Sequence, residues 1–199
     1  MRVMAIAAPA GVAGAPSAAA EDHHHKSMEA APPRGDSIYA LSASLVDQRG
    51  RPVGLDLFRG HPVLITMFYA TCPDACPLLI ADLQRIELAL PARIKADLRV
   101  LLVSLDPERD TPDVLRQYVT AFDATFLGLR GTPEQTAQVA KAFKVLIQKN
   151  PSADPQNYTV DHSSGTYVYD TGGRLRLYMS YGQSADSFAH DIAQLLKSS

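Results

Sequence analysis

Cysteine is scarce in this chain: 199 residues carry only two. That limits the covalent chemistry to one disulfide or one reactive pair. An excess of either charge is missing too, since 19 Lys and Arg stand against 21 Asp and Glu for a formal net charge of -2. The balance gives no reason to expect nucleic acid or an acidic membrane surface as partner. No stretch approaches the roughly 18 uninterrupted apolar residues of a spanning helix, and no internal repeat is visible. What is present is ordinary for a globular protein, with 46% hydrophobic and 20% charged residues. The length suits one domain with a sizeable core.

The first residues differ in kind from the rest. Met1-Arg2 is a minimal positive start, and the run from Val3 to Ala15 is weakly apolar and broken by Pro9. Small residues through Ala18 and Ala20 suit a cut after Ala20, so residues 1–20 read as a secretory signal peptide. Residues 21–37 are polar, rich in Pro, Gly and Ala, and contain His23, His24 and His25, as a flexible linker would. The expected domain covers residues 38–199, in an exported, soluble, periplasmic protein.

Within that domain, Leu41 to Val46 alternates weakly before the turn residues Asp47 to Gly50, which predicts an N-terminal hairpin. Val63 to Tyr69 and Leu98 to Leu105 are continuous apolar strands of the kind buried on both faces. Leu79, Leu83, Ile86 and Leu90 fall at helical spacing after Pro77. Thr111-Pro112 and Thr132-Pro133 each open a helix, and Gln135 completes a capping box with Thr132. A short strand is expected from Phe126 to Leu129 and another from Lys144 to Lys149. Asn150 to Asn157 reads as a loop. Strands at Thr166 to Asp170 and Arg174 to Met179 flank Gly172-Gly173 as a hairpin, and Ser184 to Lys197 closes the chain as a helix. The alternation implies an α/β fold with a central mixed sheet flanked by helices. The reactive pair's place fits a thioredoxin-like arrangement with an N-terminal hairpin extension.

That pair is Cys72 and Cys76, in Thr71-Cys72-Pro73-Asp74-Ala75-Cys76-Pro77. A helix N-terminus offers unpaired N–H groups and a partial positive charge, so both thiols should be more acidic than free cysteine. Thiolates are soft ligands for Cu(I), zinc or iron–sulfur clusters. Three intervening residues put both sulfurs on one face if the turn is helical, which leans toward a metal clamp. A disulfide switch or a plain structural disulfide remains open. Two sulfurs seldom complete a stable site, so a distant third ligand is expected. His61, beside Pro62, and His190, in the last helix, read as surface residues. His162, in Val160-Asp161-His162-Ser163, stands ahead of the hairpin as the candidate, and Asp161 could orient it through a hydrogen bond.

The cysteine segment, then Val103-Ser104-Leu105-Asp106-Pro107-Glu108-Arg109-Asp110-Thr111-Pro112, then Val160-Asp161-His162-Ser163, occur in this order and together resemble the Sco/SenC family of copper proteins. The resemblance spans roughly residues 38–197. It implies a thioredoxin-like fold and a copper site made by Cys72, Cys76 and His162. It also implies delivery of copper to the dinuclear centre of cytochrome c oxidase, so the partner would be the copper-bearing oxidase subunit or another periplasmic copper chaperone. Two thiolates and one imidazole suit Cu(I), and Cu(II) if a further ligand joins. Many family members have an anchoring helix in front; no membrane span is seen here.

Three further readings follow from the residues. A thiol–disulfide oxidoreductase would need Cys72 and Cys76 but not His162, and oxidation of the pair would gate metal loading. A peroxidase would need a dedicated cysteine motif that is not visible. Cleavage after Ala20 would expose Glu21-Asp22-His23, whose amine, two backbone amides and imidazole make a square-planar site for Cu(II) or Ni(II). His24, His25 and Met28 could add ligands there. The acidic run Asp106 to Asp110 reads equally as a docking or ligand-orienting loop and as turn and capping chemistry.

Overall fold

The computed structural model describes residues 37–154, 157–163 and 165–197. The proposed leader, the linker apart from Ser37, and the His23, His24, His25 and Met28 site lie outside the described residues.

A seven-stranded sheet forms the centre, in the order β2-β1-β5-β4-β3-β8-β9. Strand β3 (Val63–Phe68) is fully buried along its length because five of its six residues are apolar. Its one polar side chain, Thr66, donates to the Gly165 carbonyl at 2.8 Å, so burial leaves that hydroxyl partnered. Parallel neighbours β4 (Arg99–Ser104) and β5 (Leu127–Arg130) lie on one side of it. The antiparallel pair β8 (Gly165–Tyr169) and β9 (Leu175–Ser180) lies on the other. The N-terminal hairpin, β1 (Leu45–Asp47) and β2 (Pro52–Val53), joins the sheet through β5. Its turn is fixed by the Asp47 carboxylate, which accepts from the Arg49 and Arg51 N–H groups at 2.8 and 2.9 Å.

Side-chain alternation along β3 divides the core in two. Leu64 and Phe68 face helices α1 (Ala75–Ala89), α3 (Pro112–Phe122) and α5 (Ala185–Lys197). Val63, Ile65 and Met67 face α4 (Pro133–Ala142) and the N-terminal segment. Truncating a fully buried side chain such as Leu83 to Ala costs about 2–5 kcal/mol, by lost transfer energy plus the cavity left behind. Both expected caps are present. Thr111 accepts from Val114 N–H, and Thr132 and Gln135 form the reciprocal capping box.

Four expectations need correction. The helix after the cysteine turn begins at Ala75 rather than Pro77, so Cys76 lies inside its first turn. A short helix α2 (Ala92–Asp97) intervenes before β4. The strand expected from Lys144 begins later, as β6 (Ile147–Asn150), because Lys144 takes a left-handed φ of 55° to end α4. Strand β6 pairs with β7 (Thr159–His162), which the sequence reading had not placed in a strand, in a separate two-stranded sheet.

Topology decides what meets where. Strands β3 and β4 run parallel with Phe68 beside Ser104, so the cysteine turn and the Asp106 to Asp110 loop leave the sheet at one edge. Strand β8 runs antiparallel to β3 and starts at that same edge. The residues just before it, His162 and Ser163, are therefore delivered to the cysteines.

Candidate metal centre

Cys76 is 1% exposed, packed among Tyr69, Leu79 and Ile80 at the head of α1. Its sulfur lies 3.8 Å from His162 Nε2, across 86 positions of sequence. Cys72 is half-buried in the preceding turn, and both cysteines are free thiols. The Asp74 side chain does not cap α1. The Cys72 sulfur takes that role, accepting from Cys76 N–H at 3.4 Å. An open cleft above this turn is lined by Tyr69, Cys72, Pro73, Asp74 and Ala75 on one wall and by Thr159 to His162 on the other.

The two thiols are not equivalent, which corrects the expectation that both are acidified. Partial burial opposes ionisation of Cys72, but N–H groups of Asp74 and Cys76, with the Cys76 and Tyr69 side chains, hold its pKa below the ordinary value. Burial pushes the Cys76 thiol well up, and only a backbone hydrogen bond involving Tyr69 opposes it. The helix terminus favours a thiolate, but complete desolvation outweighs it at Cys76.

His162 is also shifted by its surroundings. Burial lowers its pKa, with the Ser163 carbonyl and Asp161 working against that shift. Its Nδ1 lies 3.2 Å from the Ser163 carbonyl, which needs an N–H there and leaves the Nε2 lone pair toward Cys76. The Ser163 carbonyl, rather than Asp161, therefore makes the orienting hydrogen bond; Asp161 is exposed. The Tyr69 ring packs edge-on to the imidazole at 6.1 Å.

The acidic loop is interior at Asp106 and Asp110 and exposed at Glu108. Asp106 and Asp110 are fully buried, so neither carboxylate offers a docking surface. Ser104 Oγ donates to Asp110 at 2.5 Å and Ala70 N–H donates to it at 3.1 Å, tying the loop to the cysteine turn. Burial pushes the Asp110 pKa up to about 6 against those hydrogen bonds, with the Asp106 charge adding to the rise. Arg109 ion-pairs with Asp106 and donates to the Tyr158 carbonyl at 2.8 Å. Tyr69, Arg109, Asp110 and Tyr158 all surround the site; Arg109 and Asp110 lie in the run expected as a docking or ligand-orienting loop, whereas no short-range sequence signal marks Tyr69 and Tyr158. Of the other described histidines, His61 sits 3.2 Å from Asp97 and His190 is exposed on α5, both away from the site.

A tricoordinate ion with bonds of about 2.3 Å to sulfur and about 2.0 Å to nitrogen separates those donors by about 3.7 Å at 120°. The Cys76–His162 spacing of 3.8 Å fits that figure. Among the described residues, however, no three His, Cys, Asp or Glu side chains converge on one point. The Cys72 sulfur is directed at the Cys76 N–H at the head of α1.

The mixed sheet with a cysteine turn after its central strand makes this a thioredoxin-like protein, here with an imidazole brought against the second thiol. The chain belongs to the SCO1/SenC family, whose profile matches residues 33–197. It is 38% identical over 154 residues to an SCO2-like protein of Rickettsia prowazekii, covering 77% of this chain and 73% of that one. A mitochondrial SCO2 homologue of Bos taurus is 35% identical over 150 residues, covering 75% of this chain but only 56% of the bovine protein. Among solved structures, Bradyrhizobium japonicum ScoI with copper bound superposes with a TM-score of 0.70 at 31% identity, covering 77% of this chain and 97% of that one. Yeast Sco1 with copper bound gives 0.73 at 28% identity, covering 79% and 87%.

Proposed function

We propose that this protein is a copper metallochaperone that holds the metal between Cys72, Cys76 and His162 and passes it to the dinuclear copper centre of cytochrome c oxidase. The observation that carries the reading is the 3.8 Å approach of His162 Nε2 to the Cys76 sulfur. Similarity to two Sco structures with copper bound supports the choice of metal. Two soft sulfurs and a neutral imidazole match Cu(I), and the cleft beside them lets an incoming donor reach the ion. On loading, the Cys72 sulfur exchanges its hydrogen bonds from the Asp74 and Cys76 amides for the metal. That exchange is cheap, because a sulfur–amide hydrogen bond is weak compared with a metal–thiolate bond.

Delivery would take place in the periplasm, following export on the leader read from the sequence. Among the described residues no helix is long and apolar enough to cross a membrane.

The test is competition for Cu(I) against a chromophoric chelator, with X-ray absorption on the loaded protein. The expected first shell has two sulfurs and one imidazole nitrogen, and Cys72→Ser, Cys76→Ser and His162→Ala each weaken binding. An unchanged affinity and spectrum in His162→Ala would refute the three-donor site.

The inequality of the thiols favours a second reading, a thiol–disulfide reductase. The acidified, half-exposed Cys72 would attack a partner disulfide, and Cys76 would resolve the mixed disulfide, leaving the partner as dithiol and this protein as disulfide. Metal-free His162→Ala protein should retain that turnover if this is the activity.

A further inference from the structure

His162 stands on a hairpin that shares no strand ladder with the main sheet. Side chains hold it in place instead. Val160 is buried in the core with Ile147 and Tyr158 packed against it, a hydrogen bond joins the Val160 backbone to Tyr69, and a further set of contacts passes through the loop after β4. The Tyr158 hydroxyl donates to Asp106 at 2.6 Å, and the Tyr158 carbonyl accepts from Arg109 at 2.8 Å. The Arg109 guanidinium lies 3.7 Å over the Tyr158 ring and 5.8 Å from the Tyr69 ring. Outside this knot, Lys149 of β6 pairs with Glu108 of the same loop at 2.8 Å.

The core of the knot is desolvated. Asp106 is fully buried, and the Arg109 side chain is 12% exposed. Buried charge-assisted bonds of this kind hold geometry tightly, and losing one partner strands the other without solvent. Arg109 joins the loop that braces the cysteine turn to the hairpin that carries the imidazole.

We propose that Asp106, Arg109 and Tyr158 form a latch that positions His162 against Cys76, and that opening this latch is the step that frees the third donor when the metal leaves. The proposal rests on the three-donor reading above for its metal-release part; the tethering of the hairpin stands without it. With the latch shut, the imidazole has one location. With it open, β7 remains attached through Val160 and its short connection to β8, and His162 can swing away while Cys76 stays put.

The test uses the full chain in four forms: Tyr158→Phe, Arg109→Lys, His162→Ala, and Tyr158→Phe combined with His162→Ala. Tyr158→Phe keeps the ring on Arg109 and deletes only the hydroxyl, so it serves even if Arg109→Lys fails to fold. Two quantities are measured: the rate of Cu(I) loss from loaded protein to excess chelator, and amide hydrogen exchange at Val160 and Asp161 in metal-free protein, with Leu83 as reference. The expected result is a roughly tenfold faster release in Tyr158→Phe, the low end for removing support behind a metal ligand. Exchange in β7 rises similarly while Leu83 is unchanged. In the His162→Ala background Tyr158→Phe adds nothing, because the latch acts through the imidazole. An unchanged release rate alongside a clear His162→Ala effect overturns the proposal, as does an equal acceleration in the His162→Ala background. If His162→Ala itself changes nothing, the three-donor reading fails. The tether is then judged by exchange alone, and unchanged β7 exchange in Tyr158→Phe overturns it.

Discussion

Replacing Asp110 with Asn should reverse its effect on stability between mildly acidic and neutral pH. The carboxyl is buried, and its pKa is raised from 3.8 to about 6. A raised acid pKa means the folded protein holds this proton more tightly than the unfolded chain. Its contribution is therefore fully present below the unfolded pKa and lost as pH rises through the folded one. The shift of roughly two pH units corresponds to about 3 kcal/mol lost by neutral pH, as an order of magnitude. Asn carries no charge to desolvate, and its amide oxygen can replace Oδ2, which accepts from both Ser104 and Ala70, but its NH2 group then stands where Oδ1 faces the Ala70 N–H at 3.3 Å, a donor–donor contact that costs about 1–2 kcal/mol. The net expectation is a variant about 1–2 kcal/mol more stable than the parent at neutral pH and less stable by a similar amount below about pH 4. Urea unfolding of reduced, metal-free protein, followed by far-ultraviolet circular dichroism across that range, gives both curves. Taking their difference cancels other titrations in the window, such as the lowered carboxyls of Asp47 and Asp170 and the lowered imidazole of His162. Parallel curves that never cross would show that Asp110 is not a desolvated acid and would refute the argument.

Two further outcomes follow from the geometry. In metal-free protein iodoacetamide should modify Cys72 well before Cys76, since one thiol is acidified on the cleft and the other is buried and protonated; peptide mass mapping over time reads the order, and faster labelling of Cys76 contradicts the assignment. Thr132→Ala should lower stability by about 1 kcal/mol through the lost capping box, leaving Cu(I) affinity unchanged because α4 lies on the sheet face away from α1.

Local signals made much of the fold legible. An apolar run with flanking polar turns identified β3 and β4, and Thr-Pro pairs identified the starts of α3 and α4. The β6–β7 hairpin was legible only in part, with a strand expected at Lys144 to Lys149, three residues ahead of β6, and none at β7. Gln148 and Lys149 are exposed and Ile147 only half-buried, so β6 shows no clean apolar alternation, and its position depends on Tyr158 reaching a loop some fifty residues away. The cysteine turn was legible as a site, but the state of Cys76 was not. A helix N-terminus is readable from neighbours in sequence, whereas desolvation by Leu79, Ile80 and Tyr69 depends on packing. His162 was legible as a candidate from its place ahead of the Gly172-Gly173 hairpin, and the family resemblance implied its role as a ligand. Its physical reason, an antiparallel β8 that starts beside the end of β3, requires the strand order to be known.

The three candidate donors stand on supports of different stiffness, and that difference bears on how a carrier would let go. Cys76 is set in the first turn of a fifteen-residue helix and packed into the main core. Cys72 sits in the turn before it, on the cleft wall, with its sulfur bound to amides that it can leave and regain. His162 rides on a hairpin that forms a sheet apart from the central one. Ligand exchange proceeds most easily where a donor can move away without disturbing packing. Under the proposed reading, Cys76 is therefore the donor that stays with the metal longest, while Cys72 and His162 open the coordination sphere toward the cleft. A partner approaching through that cleft meets the two yielding donors first, so transfer needs no unfolding of α1. A site built from three equally rigid supports would hold copper as well but would have to strain the core to release it.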